Sequence, residues 1–173
     1  QKTAYEISTR DWSSDVCSSD LNLQGLLAKI GKNSWGFGAI NILKKENHKC
    51  YRFKPYFKNL HRLSLKFVPH PATIYRTSFV EKLGGFDTKF KIAADQKMAL
   101  QASKISSPVT SRLIISNFNL GGISDNRTSH DVVNDFRRIS HELNGYFFGI
   151  QKIDTLIWCL VLKIRNCKLK YFL

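Results

Sequence analysis

The sequence predicts an α/β fold that ends in helices, and three observations carry this. Two apolar runs, Gly36 to Leu43 (GFGAINIL) and Arg112 to Leu120 (RLIISNFNL), read as strands. Between them, Tyr56, Leu60, Leu63 and Phe67 recur at helical spacing, and Gly84-Gly85 marks a helix stop. Beyond them, Val132, Phe136, Ile139 and Leu143 fall on one helical face.

Taken in chain order, Leu23 to Ile30 is a short apolar stretch of helical character. Gly36 to Leu43 is a strand opened by glycines. Cys50 to Phe53 is expected to pair with it across the polar turn Lys44 to Lys49. Tyr56 to Leu65 is the next helix, with Pro55 at its entry, where a missing N–H costs nothing. Lys66 to Tyr75 is extended. Its two prolines, flanking His70, cannot donate to a ladder, so it is read as an edge or irregular strand.

Ser78-Phe79-Val80-Glu81 has the S-x-x-E form of a capping box for the helix that stops at Gly84-Gly85. A further helix spans about Ala93 to Ser103. After the strand Arg112 to Leu120, Gly121-Gly122 turns the chain. Thr128 or Ser129 then caps a helix with Asp131 in its first turn. The tail, Tyr146 to Leu173, is apolar and basic together. Its uncharged run Thr155 to Leu162 is far short of the roughly 20 residues that span a bilayer. An amphipathic helix on an anionic membrane and a helix packed on the core with a solvated basic end both fit it.

Gln1 to Leu21 stands apart. It has no sustained period, holds four acids and two bases, and resembles translated sequencing-adapter DNA in two stretches, QKTAYEI and RDWSSDVCSSDL. We expect residues 1–21 to be a non-native, disordered segment. With Met98 the only methionine, the expectation is a reading frame joined within a gene.

The 173 residues carry 27 Lys+Arg against 13 Asp+Glu, a net charge of +14. Setting aside the two bases and four acids of 1–21 leaves 25 against 9, or +16. Such a charge favours anionic partners: nucleic acid, anionic lipid or phosphorylated substrates. A lysine-rich composition with solvated faces gives the same number. No recognition-helix or RNA-binding pattern accompanies it, so no nucleic acid is expected. Cys17, Cys50, Cys159 and Cys167 form no CxxC pair, which fits a reducing, cytoplasmic setting.

Four pieces then stand in order: PHPATIYR (Pro69 to Arg76), GGFD (Gly84 to Asp87), KIAADQ (Lys91 to Gln96) and FNLGGIS (Phe118 to Ser124). Together they resemble the family 2 glycosyltransferases of the GT-A fold, more narrowly the bacterial enzymes that build surface polysaccharides. The likeness runs from about Trp35 to Leu143. It implies an incomplete GT-A domain, the acceptor-side half, over residues 22–145, followed by the basic helical tail 146–173. It also implies transfer of a sugar from a nucleoside-diphosphate sugar to a hydroxyl of a saccharide or lipid-linked acceptor, in polysaccharide or glycolipid synthesis. The expected location is the cytoplasm, with the tail as a peripheral contact to the inner membrane.

The resemblance implies that Asp95 matches the family's catalytic base, although Ala94-Asp95 stands where Glu-Asp is common. A sugar hydroxyl is a poor nucleophile until a base takes its proton. The plainer reading of Asp95 is a carboxylate satisfying a helix start. Asp87, His70 and Trp35 are expected on the acceptor side, and Arg76 beside a phosphate. Their plainer readings are a turn aspartate, a structural histidine, a core aromatic and a surface arginine.

The family's donor site uses an Asp-x-Asp motif holding Mg or Mn against the diphosphate, and this sequence has no Asp-x-Asp. The cation is therefore expected in a full-length enzyme only. This chain alone is expected to transfer no sugar and to expose an apolar sheet edge. A basic membrane-surface or nucleic-acid-binding module without catalysis is the alternative.

Overall fold

Trp35 to Ile40 are all buried, so the first strand, β1 (Trp35–Leu43), is covered on both faces over its first half. The computed structural model describes residues 20–43, 49–53, 55–90, 93–119, 128–143, 148 and 150–170. In it β1 is the centre of a four-stranded sheet. Along one edge it pairs in parallel with β4 (Val109–Asn119). Along the other it pairs antiparallel first with β3 (Thr73–Tyr75), against Trp35 to Phe37, and then with β2 (Lys49–Arg52), against Ile40 to Leu43. The β1–β2 pairing is the one expected from sequence; the turn 44–48 between them lies outside the described residues, as does 121–122.

Two glycines let β1 and β4 close on each other. A Cβ on Gly36 would lie 2.6 Å from Val109 O, and one on Gly38 would lie 2.2 Å from Ile115 Cγ1 and 2.7 Å from Leu113 O. The register shifts on either side of Ala39, next to this tight contact.

A parallel pair needs a long crossover. Here it runs through β2, α2 (Lys58–Arg62), a 3-10 turn at His70–Ala72, β3, α3 (Thr77–Lys82) and α4 (Ala94–Ile105). One face of the sheet receives α1 (Asp20–Ile30): Ile30 lies against Gly36, and Asn22 Nδ2 donates to Ile114 O at 3.0 Å. The other face sets Trp35 and Phe37 against Val68, Phe79, Ala99 and Ala102, joining the sheet to α3 and α4. A second core gathers Phe90, Ala93 and Leu100 with Val133, Phe136 and Ile139 of α5 (Ser129–Glu142), and with Trp158 and Val161 of α6 (Gln151–Lys170).

Thr128 caps α5 in a reciprocal box with Asp131, one of the two caps expected. The buried stripe of α5 is centred on Val133, Phe136, Ile139 and Ser140, with Val132 and Leu143 at its margins. Gly84 and Gly85 take φ of +83° and +77°, the left-handed stop that their pairing predicts.

Three readings are corrected. The Ser78 to Glu81 box is absent: α3 begins at Thr77 with Arg76 at its cap and no side-chain bond there. The helix expected over Tyr56 to Leu65 is a single turn and a half, Lys58–Arg62, because Ser64 adopts φ +56° and breaks it. Phe67, spaced as a core residue, is exposed, while His61 takes the interior position. At the N-terminal side α1 includes Asp20 and Leu21, inside the segment 1–21; residues 1–19 lie outside the described residues.

Candidate functional site

The site is built where the loop before β3 meets the first turn of α4. That helix starts at Ala94, and its cap residue, Ala93, carries no side-chain bond to the turn. Asp95 is the acid of this turn and is half-buried. Its Oδ2 accepts from Gln96 Nε2 at 2.8 Å. Asp95 thus stands in the first turn of the helix, as its plainer reading has it, with one oxygen held by a neighbouring amide.

That amide is itself fixed. Val68 N–H donates to Gln96 Oε1 at 3.2 Å, and Gln96 Nε2 donates to Val68 O at 3.1 Å. A backbone N–H can only donate and a carbonyl only accept, so the orientation of the amide follows without choice. Gln96 Oε1 also lies 3.0 Å from His61 Nε2, which must therefore carry the ring proton. Nδ1 is then the acceptor, facing Tyr56 Oη at 3.3 Å. Burial drives the imidazole down to about 4, although the Gln96 bond opposes that shift. His61 is thus a neutral ring of one defined tautomer.

Behind Asp95 stands Tyr75. Its hydroxyl is pushed above the ordinary range by burial first and by the Asp95 charge second. Its ring stacks on Trp35, with centroids 5.4 Å apart and planes 8° from parallel. Trp35 is fully buried and donates from Nε1 to Ser106 O at 3.0 Å. With no exposed face, it supports Tyr75 from within and offers nothing for a sugar to stack on.

His70 is half-buried and sits edge-on to Phe86, with centroids 5.7 Å apart. Phe86 is followed by Asp87, so the PHPATIYR and GGFD segments do meet. Asp87 accepts from Lys89 N–H at 2.9 Å and pairs with Lys97. The Lys97 bond first, and the Lys89 N–H second, hold its carboxyl below the usual range. Lys97 is almost wholly buried and also pairs with Glu142 of α5. Burial opposes its charge, but the bonds to Asp87 and Glu142 outweigh that and raise its pKa.

Asp95 and Lys97 are two residues apart on one helix, about 200° around its axis. Asp87 therefore docks on a face of α4 other than the one that carries Asp95. Arg76 is exposed; its Nε donates to Asn33 O at 2.8 Å and its Nη2 to Gly31 O. It ties β3 to the end of α1.

Sequence reasoning missed Gln96, His61 and Tyr75 as parts of the site. Gln96 lies inside the quoted KIAADQ segment, and His61 sits at helical spacing from Phe57 and Leu65. Those were the available signals. Among the described residues no group of three His, Cys, Asp or Glu is placed to hold a metal ion.

No family model matches the chain, and no solved structure does. Two curated proteins are similar to it, uncharacterized glycosyltransferases of Mycobacterium tuberculosis strains CDC 1551 / Oshkosh and ATCC 25618 / H37Rv. Each is 31% identical over 139 residues, covering 78% of this chain and 52% of the relative. The chain spans about half the length of these relatives. A stretch covering 78% of the chain necessarily includes its middle, and with it His70, Asp87 and Asp95. This likeness supports a glycosyltransferase.

Proposed function

We propose that the chain is the acceptor-side half of a family 2, GT-A glycosyltransferase, with Asp95 as the general base. The carrying observation is the oriented carboxylate: Asp95 is only half-buried, and one of its oxygens is held by Gln96. Gln96 is in turn locked by Val68 and His61. A base works when it is within reach of the proton it takes and does not turn away from it. In the reaction an acceptor hydroxyl gives its proton to Asp95 as its oxygen bonds to the anomeric carbon. The nucleoside diphosphate leaves from the opposite side.

On this reading His70, with Phe86 beside it, lines the acceptor side. Asp87 acts indirectly, by fastening the GGFD turn to α4 through Lys97. Arg76 keeps a guanidinium near the start of α3, where phosphate is one candidate ligand. On this reading the donor half and its divalent cation belong to the rest of the complete protein. The match covers 52% of each relative, which leaves room for a second half in the complete protein.

The test is a transfer assay with a panel of nucleoside-diphosphate sugars and extracted saccharide and lipid-linked acceptors. It compares the complete protein encoded by the parent gene with this chain alone. The proposal expects product from the former and none from the latter. Transfer by this chain alone overturns the half-domain reading, and absence of transfer by the complete protein with every donor overturns the enzyme reading.

A further inference from the structure

Exposed large apolar side chains are unevenly placed. Across the described residues before α5 they occur singly, as on most protein surfaces. From Phe148 onward there are five within thirteen residues: Phe148, Ile150, Ile153, Leu156 and Leu160. Leu156 and Leu160 are 70% and 57% exposed. Ile153, Leu156 and Leu160 follow one another at spacings of three and four, so they form a row along the outside of α6.

The opposite face of the same helix is the packed one. Trp158 and Val161 enter the core with Phe136 and Ile139. Arg165 reaches Ser64 O, and its guanidinium lies over the Phe67 ring. The outer row is therefore not a core stripe that failed to dock; the helix already has its core stripe.

We propose that this outer face of α6 rests on an anionic lipid surface, with Ile153, Leu156 and Leu160 inserted among the acyl chains. Charge decides for lipid over a protein partner. Lys152 and Lys163 are exposed and lie beside the row, four and three residues from Leu156 and Leu160. Their long stems can lie along the apolar surface while the ammonium groups reach phosphate headgroups. The one acid of the helix, Asp154, is turned inward, where its Oδ1 accepts from Phe148 N–H. So the described outer face carries cations and apolar groups with no carboxylate among them. A chain of net charge +14 adds long-range attraction to the same surface. None of the described helices is long and apolar enough to cross a membrane, so the contact lies in the interface plane. The proposal is independent of the sugar-transfer reading.

The test is sedimentation of the full chain with vesicles of phosphatidylcholine alone and of phosphatidylcholine with 30% phosphatidylglycerol, at about 50 and 500 mM salt. The variants are Leu156→Gln with Leu160→Gln, and Lys152→Glu with Lys163→Glu. All four positions are exposed, and circular dichroism checks that the fold is kept. The expected result is binding to the anionic vesicles that weakens at high salt and falls at least tenfold in either double variant. Absence of binding to anionic vesicles overturns the proposal. So does binding unchanged by the leucine pair. A dimer in light scattering that the leucine pair dissolves also overturns it, because a second copy then covers the face.

Discussion

Gln96 Nε2 stands 2.8 Å from Asp95 Oδ2, and the same side chain closes a two-bond clasp on the backbone of Val68. The amide thus links the proposed base to the loop that leads to His70. Replacing Gln96 with Leu keeps the volume and removes every one of these bonds. Val68 N–H, Val68 C=O and the His61 Nε2–H are then left without partners. Each unsatisfied buried group is costly, and we expect a loss of about 2–4 kcal/mol in urea denaturation. A loss within the error of the measurement means that the clasp is not formed in solution.

His61 gives the fold a pH dependence of known sign. Its folded value is about 4, below the ordinary value of 6.5. The unfolded chain therefore binds the proton more readily. The stabilisation is complete above pH 6.5 and is lost as pH falls from there toward 4, by about 3 kcal/mol in all. Urea midpoints at pH 7.5 and 4.5 measure it. The His61→Gln variant should show a shallower change over that interval. Nitrogen-15 shifts of the ring should report protonated Nε2 and bare Nδ1 at pH 7.

The Lys97 ammonium is enclosed between Asp87 and Glu142, with the Phe90 ring 4.6 Å away. Lys97→Met leaves two carboxylates facing each other without a cation. We expect a drop of several degrees in Tm at pH 7. Because the Asp87 carboxyl is held below its usual range, the ion pair contributes above that range and fades as pH falls through it. The gap between wild type and Lys97→Met should therefore narrow toward pH 3.

Two glycine substitutions separate close approach from backbone strain. Gly38→Ala drives a methyl into Leu113 O and Ile115 across the β1–β4 pair, which costs about 1–3 kcal/mol and strains the register. Gly84→Ala meets nothing within 4 Å, and its cost, about 1–2 kcal/mol, comes from the φ of +83° alone. Hydrogen exchange in β4 should rise for the first and stay unchanged for the second.

Much of the secondary structure was legible because its signals are local. The glycine-opened strand β1, its antiparallel partner β2, the Gly84-Gly85 stop and the Thr128 cap each depend on a few adjacent residues. What was hidden depends on tertiary placement. The pairing of β1 with β4 in parallel joins segments about seventy residues apart, and no local pattern announces it. His61 looked like one more polar residue on a short helix. Only its enclosure by Tyr56, Gln96 and Phe136 makes it a fixed neutral ring. The Ser78 to Glu81 box failed for a similar reason: Arg76, drawn to Gly31 and Asn33, sets the start of α3 two residues earlier. Trp35 was readable as either a platform or a core residue, and its contact with Tyr75 decides for the core. The outward row on α6 was visible as an apolar and basic tail, but which face is free depends on Trp158 and Val161 docking inward.

The most direct test of the account is steady-state transfer by the complete protein carrying Asp95→Asn, beside Asp95→Glu and wild type. Asparagine keeps the shape and the Gln96 contact but cannot take a proton. The account predicts a fall in kcat of about 10²- to 10⁴-fold, with KM for the donor and Tm nearly unchanged, and partial recovery with glutamate. An Asp95→Asn enzyme that turns over at the wild-type rate contradicts it.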